Sequence, residues 1–589
     1  MKNTILTATL VASLNASAVL GPIPIYLNTE YRTDSPVIGS IASTISFDEF
    51  DIRASGANDF MDFLATVPSI NLFNTTGNVP AVFIRGNEAR HTLVMIDGVS
   101  INDISSVDGA VGYGLKNISL NDIEKVEVIK GSGSVLYGSS AIAGVIAITT
   151  KKGSNGKKFA TDITYGSNNS KKYSILAASG DKNSYIRLSH NNSSVDGISA
   201  RSNNIEKDNI SNSNSNFKFG VKSDKNTIDI SYLTSENTTE YDDSFGTNHD
   251  KYFKRSLTKS NINISTEFNK NWTTKLAFSQ TKSNRDEYSS GVFQTWSGDN
   301  FKSTDLTILN TIKLNNSLLN IGLTKLDDEN ISKNQKFNSK DIFVNFQKNI
   351  NNFDVNTGFR FIKHNEFGNE IVYNLATSKF IASGIQMFGS YNTGFKAPTI
   401  YQASDIDNPQ KLKAETSNNV ELGIKKIHNW GNVEFRVFSN EVKDIIDMDS
   451  GFVYFFNDDK LKTKGLELSV SANIKDYFMD FGYSLVDSKK NDETTQSLRR
   501  PKNTINLAIS KQYGGFNSKV QIINKSSSLD TGNIKLNGYT LLNLSTSYEF
   551  NDNAKLLFNI NNALDKDYTI ANGYNQLGRT FNLGLNYEF

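Results

Sequence analysis

The chain of 589 residues contains no cysteine, so disulfides, iron–sulfur clusters, thiolate zinc sites and thiol catalysis are excluded. Its five histidines lie far apart, and no HExxH motif occurs. No apolar run reaches 18 residues, which excludes a transmembrane helix. The formal net charge of +1, from 62 basic and 61 acidic residues, argues against a nucleic-acid partner. Aromatic residues are plentiful, with 23 Tyr and 37 Phe, and a polar, aromatic-rich chain can still span a membrane as a β-barrel.

The first residues have the three regions of an export signal in the right order. A short basic start with Lys2 precedes an apolar run from Ile5 to Leu14, and Ala16-Ser17-Ala18 matches the small-x-small cleavage pattern. We expect residues 1–18 to be a signal peptide, the alternative being a buried N-terminal helix. Export without cysteine is typical of a bacterial envelope protein.

Residues 47–153 have a mixed α/β pattern and predict a compact domain. Asn58 can cap a short helix that Pro68 ends, and Ser119 to Asp122 resemble a capping box. Short strands are predicted at 82–84, 93–96, 126–129 and 144–150, with an Asp97-Gly98 turn after the second. Arg85, Glu124, Glu127 and Lys130 are candidates for polar contacts outside the domain, the alternative being that they are ordinary surface charges.

Residues 154–589 alternate between apolar and polar positions, as β-strands do. Leu583, Leu585 and Tyr587 lie on one predicted face, opposite Asn582 and Asn586. A soluble sandwich would show the same alternation, but 436 residues of strands are too many for one sandwich. The aromatic ending Tyr587-Glu588-Phe589 also favours a membrane barrel. At about 20 residues per strand and loop we expect about 22 antiparallel strands, a barrel wide enough to need a plug. The fold class is therefore an all-β transmembrane barrel with the small α/β domain inside its lumen.

Several motifs, in order, resemble those of TonB-dependent outer-membrane transporters. They are the segments 83–86 (FIRG), 94–99 (VMIDGV), 123–131 (IEKVEVIKG), 137–146 (YGSSAIAGVI), 394–399 (GFKAPT) and 562–568 (NALDKDY). The resemblance marks Arg85, Gly86, Asp97 and Gly98 as plug-motif residues. Within the family, segments 440–447, 498–502 and 573–579 are similar to those of vitamin B12 (cobalamin) transporters.

The resemblance also implies partners and a periplasmic leader, residues 19–46. Within it, Pro24, Ile25, Tyr26, Leu27, Asn28 and Thr29 occupy the position of the TonB box, an extended segment that adds as a strand to TonB. The alternative is a leader with no partner. TonB and its inner-membrane energising complex, a small-molecule substrate and outer-membrane lipid are the implied partners, with no nucleic acid, and we expect a monomer.

A calcium site is implied by the same resemblance. Calcium prefers clustered oxygen ligands, and cobalamin transporters bind it in external loops. Carried over by position, the ligands would be Asp196, Asp208, Tyr241, Asp242 and Asp250. The alternative is that these are solvated loop carboxylates.

The resemblance implies TonB-dependent import across the bacterial outer membrane, with vitamin B12 (cobalamin) as the expected substrate. A ferric siderophore or haem is the alternative cargo, and a passive porin or adhesin barrel is a third possibility. Neither a Ser/His/Asp set nor paired carboxylates stand out locally, so we do not expect an enzyme. The substrate-binding residues are not predicted.

Overall fold

The computed structural model describes residues 26–27, 35–36, 43–57, 59–73, 80–104, 106, 109–153, 155–242, 251–294, 299–403, 411–449, 454–491 and 493–589. The proposed signal peptide therefore lies outside the described residues. Within these ranges, no helix has the length and apolar character needed to cross a bilayer.

The N-terminal domain is built on a five-stranded mixed sheet. Its strands are β3 (Ser43–Asp48), β6 (Thr92–Ile96), β7 (Val99–Ser100), β8 (Ile123–Lys130) and β9 (Gly144–Thr150), in the order β3-β8-β9-β6-β7. Only the β6–β9 pair is parallel. Two separate hairpins are β1 (Tyr26–Leu27) with β2 (Ser35–Pro36), and β4 (Ile70–Phe73) with β5 (Ala81–Ile84). The sheet begins at Ser43, four residues before the predicted start of the domain.

Short helices flank this sheet: the first two pack against it, whereas the third packs against the barrel wall through Val135 and Leu136. They are α1 (Glu49–Ala54), α2 (Phe60–Ala65) and α3 (Ser134–Tyr137), with 3₁₀ turns at Ala89–His91, Gly112–Asn117 and Leu120–Asp122. Helix α2 buries Phe60, Phe63 and Leu64 against the sheet, as its helical spacing predicts. Burial of these apolar side chains is the main force holding α2 to the sheet.

Two predicted helix starts differ from the structure. Asn58 lies outside the described residues, and the cap of α2 is Asp59, whose carboxylate accepts from the Asp62 N–H at 2.8 Å. The capping box predicted at Ser119 is wrong, because no side-chain bond caps the 3₁₀ turn that follows. The Ser119 hydroxyl instead donates to Asn191 of the barrel at 3.0 Å. The Ser119 hydroxyl, which the local pattern assigned to the helix end, therefore bonds to a residue that is distant in sequence.

The rest of the chain forms a closed antiparallel barrel in which 22 long strands are described. The strands are β10 (Gly156–Gly166), β11 (Ser170–Gly180), β12 (Ser184–Val195), β13 (Ile210–Lys222), β14 (Asn226–Glu240), β15 (Lys251–Asn269), β16 (Trp272–Ser289), β18 (Asp299–Leu314), β19 (Ser317–Asn330), β20 (Gln335–Ile350), β21 (Phe353–His364), β22 (Gly368–Ala382), β23 (Ile385–Lys396), β24 (Glu415–His428), β25 (Gly431–Lys443), β28 (Lys460–Ile474), β29 (Tyr477–Lys490), β30 (Asn503–Tyr513), β31 (Phe516–Lys525), β34 (Tyr539–Asn551), β35 (Ala554–Asn561) and β36 (Thr580–Glu588). Pairing of β36 with β10 closes the cylinder and leaves no free edge.

Short elements decorate the connections between these strands. They are β17 (Val292–Phe293), β26 (Ile446–Met448), β27 (Phe455–Asn457), β32 (Ser528–Asp530), β33 (Ile534–Leu536), helix α4 (Ile400–Ala403) and a 3₁₀ turn at Thr531–Asn533. All of them lie at one end of the barrel. Connections at this long-loop end include 196–209, 444–459 and 562–579, whereas the opposite, short-turn end has connections such as 351–352 and 514–515.

Period-2 alternation separates the outer wall from the lumen, as predicted. In β36, Leu583 and Leu585 are 51% and 45% exposed on the outside, while Asn582 and Asn586 are buried on the lumen side. The N-terminal domain fills that lumen, because its polar side chains bond to inward-facing residues of strands on several sides of the barrel. Both main features of the predicted fold, the barrel of 22 strands and the internal plug, are confirmed.

Candidate functional site

A strained turn after β5 aims an arginine at the barrel wall. Arg85 and Gly86 both have positive φ, 50° and 74°. A β-carbon on Gly86 would lie 2.9 Å from the Ser488 β-carbon and 3.0 Å from a Val486 methyl. Glycine is therefore required at position 86 both for its backbone conformation and for the close approach to β29.

Arg85 is the centre of a buried ion network between plug and barrel. Its guanidinium donates to both carboxylate oxygens of Glu467 at 3.0 and 2.8 Å, and to Glu421 at 2.8 Å. Lys130 also pairs with Glu467 at 3.1 Å, and Arg436 with Glu421 at 2.8 Å. Arg85 is only 2% exposed, so these charges replace water as its partners.

Further buried bonds link the plug to the same part of the wall. Arg90 and His91 share the carboxylate of Glu415, at 3.0 and 3.2 Å, and Glu88 pairs with Arg500 at 2.9 Å. The barrel residues in these bonds lie hundreds of positions away from the plug residues in the chain. The sequence therefore gave no indication of these contacts.

The other predicted plug-motif residues lie in the turn between β6 and β7, and Asp97 links this turn both to the plug sheet and to the barrel. Asp97 accepts from the Thr150 N–H at 2.9 Å and pairs with Lys218 of β13 at 2.9 Å. Gly98 has φ of 82° in the turn between β6 and β7. Glu127 is one of the four residues predicted to make polar contacts outside the domain. Its carboxylate pairs with Lys125 inside the plug, at 3.1 Å.

A cavity of about 220 Å³ lies between the plug and the long-loop half of strands β15, β16, β18–β21 and β23. Plug segments around 98–103 and 137–140 form its floor, and the ends of the barrel strands form its walls. Apolar side chains such as Met95, Tyr137 and Phe337 alternate there with charged ones. A concave, mixed surface of this kind is where a small-molecule ligand binds most readily. The sequence could not identify it, because its residues are brought together only by barrel closure.

The charged residues lining this cavity are balanced in sign. Among its described lining residues, four are basic and four are acidic: Arg255, Arg285, Arg360, Lys396, Asp103, Asp305, Asp328 and Asp341. Arg360 is held by Asp341 at 2.6 Å, and its guanidinium also donates to Thr324 at 2.7 Å. The cavity thus offers fixed hydrogen-bonding groups with little net charge.

A second cavity, of about 440 Å³, separates the plug from the wall on the opposite side. It is lined by polar residues of β10–β13 and β34–β36, including Asn214 and Asn559, and by helices α1 and α2 through Arg53 and Asp62. Lys172 and Tyr568 also face it.

Three carboxylates converge in the loops after β12 and β14. One ligand atom from each of Glu206, Asp208 and Asp242 lies within 4.8 Å of the others. Burial and the neighbouring carboxylates raise the pKa of Asp208 to about 7, and burial with the hydrogen bond to Asp242 raises the pKa of Glu206. Hard cations bind grouped carboxylates and relieve the repulsion between them. The ligand types in this group are therefore suited to a calcium ion.

The predicted calcium ligands are distributed unevenly around this group. Asp208 and Asp242 belong to it, and Glu206, which the sequence analysis missed, completes it. Asp196 accepts instead from Asn169 at 3.2 Å, and the Tyr241 hydroxyl donates to Glu287. Asp250 lies outside the described residues. Glu206 could have been noticed from its position two residues before Asp208.

The acidic group also fixes a larger loop assembly. Asp208 accepts from the Ala200 N–H at 2.6 Å, and Asp242 from the Arg201 N–H at 3.0 Å. Arg201 stacks over Tyr574 of the loop before β36, 4.3 Å from its ring centre. A cation at the carboxylates would therefore order three loops together.

The predicted TonB box is described only at Tyr26 and Leu27. They form β1 and pair with Pro36 and Ser35 of β2. Pro24, Ile25, Asn28 and Thr29 lie outside the described residues. The strand conformation at 26–27 is the one that a strand-addition partner requires.

A plugged barrel with short turns at one end and long loops at the other is the form of an outer-membrane transport receptor. Two family models match the chain: "TonB dependent receptor-like, beta-barrel" over residues 144–563 and "TonB-dependent Receptor Plug Domain" over residues 36–145. The chain belongs to the TonB-dependent receptor family. It is an outer-membrane protein of TonB-dependent transport, and its long-loop end is external.

Known proteins of this form resemble the chain over nearly its full length. The vitamin B12 transporter BtuB of Photobacterium profundum is 26% identical, with 95% of each chain covered. Among solved structures, a mutant of the ferric enterobactin receptor PfeA of Pseudomonas aeruginosa is 17% identical with a TM-score of 0.80, covering 93% of this chain and 98% of that one. The ferripyoverdine receptor of the same organism, bound to ferripyoverdine, is 13% identical with a TM-score of 0.80, covering 96% and 89%.

Proposed function

We propose that this chain imports cobalamin from outside the cell, energised by TonB through residues 24–29. The proposed identity of the substrate rests on one observation, the similarity to a vitamin B12 transporter over 95% of both chains. The similarity to siderophore receptors, at 17% identity or less in the examples above, supports the shared fold alone. TonB engages the periplasmic side, while the substrate occupies the cavity of about 220 Å³ near the long loops, which we call the external cavity.

The charge balance of the external cavity supports a substrate of low net charge. Ferric catecholates carry several negative charges, and the four acidic side chains of the cavity offset the attraction that its four basic side chains would exert on them. Cobalamin carries mainly amide groups at its edge. Amides match the paired guanidinium and carboxylate groups, such as Arg360 with Asp341, that the cavity presents.

Calcium is proposed as the ion that orders the external loops for binding. Glu206, Asp208 and Asp242 would hold it, with Asp242 and Asp208 already fixing the backbone of residues 200–201. The ion would supply the positive charge that three grouped carboxylates lack. Its effect on the substrate would be indirect, through a lower entropy cost of ordering the loops on binding.

The test is isothermal titration of the purified full-length protein with cyanocobalamin, with and without calcium. We expect saturable binding that weakens at least tenfold when calcium is removed. Asp208→Asn should abolish the calcium effect, while Asp196→Asn, in the neighbouring loop but outside the carboxylate group, should keep it. Binding of ferric catecholate or haem in place of cyanocobalamin would contradict the proposed substrate and favour the second candidate, siderophore or haem uptake.

A further inference from the structure

A buried lysine without a counter-charge lines the second cavity, the one of about 440 Å³ between the plug and strands β10–β13 and β34–β36. Lys525 is the last residue of β31, at the long-loop end of the barrel, and it is only 6% exposed. Within the described residues, its ammonium group has no hydrogen-bond or ion-pair partner, and no carboxylate offsets its charge. An ammonium group buried in this way costs stability unless an anion binds to it.

Two tyrosine side chains lie beside this lysine. Lys525 is paired in register with Tyr539 of β34, which places both side chains on the lumen face with their β-carbons about 5 Å apart. The ring of Tyr568, in the loop before β36, lies 4.6 Å from the ring of Tyr539. All three side chains line the second cavity, and in the described part of the chain neither hydroxyl bonds to another protein group. One ammonium and two hydroxyl donors can therefore bind a ligand at this point.

An apolar surface begins directly below the lysine, toward the periplasmic end. Ile523, two residues earlier on β31, is paired in register with Leu541 of β34, and both side chains line the second cavity. Leu557 of β35 and Leu72 of the plug line it as well. The cavity therefore offers a charged end and an adjoining apolar surface to one small molecule.

The acidic residues of this cavity lie beside a different lysine. Asp59 and Asp62, at the start of α2, interact electrostatically with Lys172 of β11. Asp162 lies on β10, in another part of the same cavity. These carboxylates leave the charge of Lys525 uncompensated, and they would repel a ligand that carries more than one negative charge.

We propose that the second cavity binds a small organic carboxylate through Lys525 and the two tyrosine hydroxyls, with the apolar part of the ligand against Ile523 and Leu541. A carboxylate carries the single negative charge that balances Lys525. Its two oxygens can accept from the ammonium group and from the hydroxyls at the same time. The second cavity shares no lining residue with the external cavity, so this site is separate from the one proposed for cobalamin.

The experiment uses the folded, full-length protein in detergent and 4-fluorobenzoate as the probe. The fluorine NMR signal of the probe broadens when it binds to the protein, and protein-free micelles provide the blank. 4-Fluorobenzamide is the uncharged counterpart of similar shape. We expect saturable broadening of the benzoate signal and binding of the benzamide that is weaker by about tenfold or more, because only the benzoate neutralises Lys525.

Substitutions on one strand separate this site from a general effect on the barrel. Lys525→Met should weaken benzoate binding by about tenfold or more and leave the weak benzamide binding unchanged, whereas Lys525→Arg, which keeps the charge, should retain benzoate binding. Lys519→Met is the matched control, because Lys519 also lies on β31 and interacts with Asp51 of the plug but does not line the second cavity. Its benzoate affinity should equal that of the unaltered chain. Heat-dependent gel mobility checks that each barrel is folded.

Competition with unlabelled anions identifies the class of ligand. Benzoate that competes better than acetate supports the contribution of the apolar surface, and equal competition would overturn it. Inorganic phosphate that competes better than benzoate would overturn the carboxylate assignment. The absence of saturable broadening, equal binding of benzoate and benzamide, or equal benzoate affinity in the two methionine variants would overturn the site itself.

Discussion

Removal of Arg85 should loosen the plug within an intact barrel. In Arg85→Met, Glu467 loses two hydrogen bonds and Glu421 loses one, and both carboxylates stay buried. Leaving a buried charge without its partner costs about 3–5 kcal/mol. Lys130 and Arg436 remain as neighbours of these carboxylates, so we expect the lower half of that range. This corresponds to a change of about 100-fold to 1,000-fold in the opening equilibrium of the plug.

The absence of cysteine from the chain makes this equilibrium directly measurable. A single reporter, Ala143→Cys, places a thiol in the plug core, where Ala143 is 1% exposed. Its rate of reaction with a thiol reagent reports how often the plug opens. In Arg85→Met this rate should rise by the same 100-fold to 1,000-fold, while heat-dependent gel mobility stays that of a folded barrel.

Arg53→Met is the matched control, because Arg53 forms a partly exposed ion pair with Glu49 at 2.5 Å and Glu49 keeps Lys151 as a partner when Arg53 is removed. Exposed pairs contribute at most about 1 kcal/mol, so the rate should change by less than about fivefold. If Arg85→Met behaved like this control, the buried network would not hold the plug and the reasoning would fail. Adding Glu421→Gln to Arg85→Met should restore part of the protection, since the excess negative charge is removed while Arg436 keeps Glu434 and Lys130 keeps Glu467 as a partner.

Four further outcomes are expected. Calcium affinity should rise as pH increases from about 5 to 7, because the pKa of Asp208 is raised to about 7 and calcium must displace its proton. Calcium binding should therefore release protons. A pH-independent affinity would argue against Asp208 as a ligand. Without calcium, the native state binds more protons at Asp208 than the unfolded chain does, so the free energy of unfolding should fall as pH rises from about 4 to 7. Thermal unfolding of the unaltered chain and of Asp208→Asn across this pH range measures the effect. Gly86→Ala should destabilise the plug by more than about 1 kcal/mol, because φ is 74° and the added methyl meets Ser488, and an unchanged thiol-labelling rate would contradict this. Deletion of residues 24–29 should abolish uptake in cells while cyanocobalamin binding persists, whereas retained uptake would favour a passive barrel.

The amino-acid sequence by itself determined the architecture. Strict alternation such as Leu583 and Leu585 against Asn582 and Asn586 requires a sheet with one apolar and one polar face, and period 2 is a local property of the chain. The plug motifs, including Arg85-Gly86, are also contiguous, so the family was recognisable without coordinates. The exact helix caps were harder, because Ser119 bonds to Asn191 of the barrel and not to its own helix end.

Only the tertiary structure decided which distant residues meet. Arg85 and Glu467 are 382 positions apart, and they meet only because the register of β28 places Glu467 in the lumen; a one-residue slip would turn it to the outer wall. Glu206 joined the predicted carboxylates Asp208 and Asp242 for the same reason. Local pattern fixes which face of a strand is apolar, but closure of the barrel around the plug fixes which charges become neighbours.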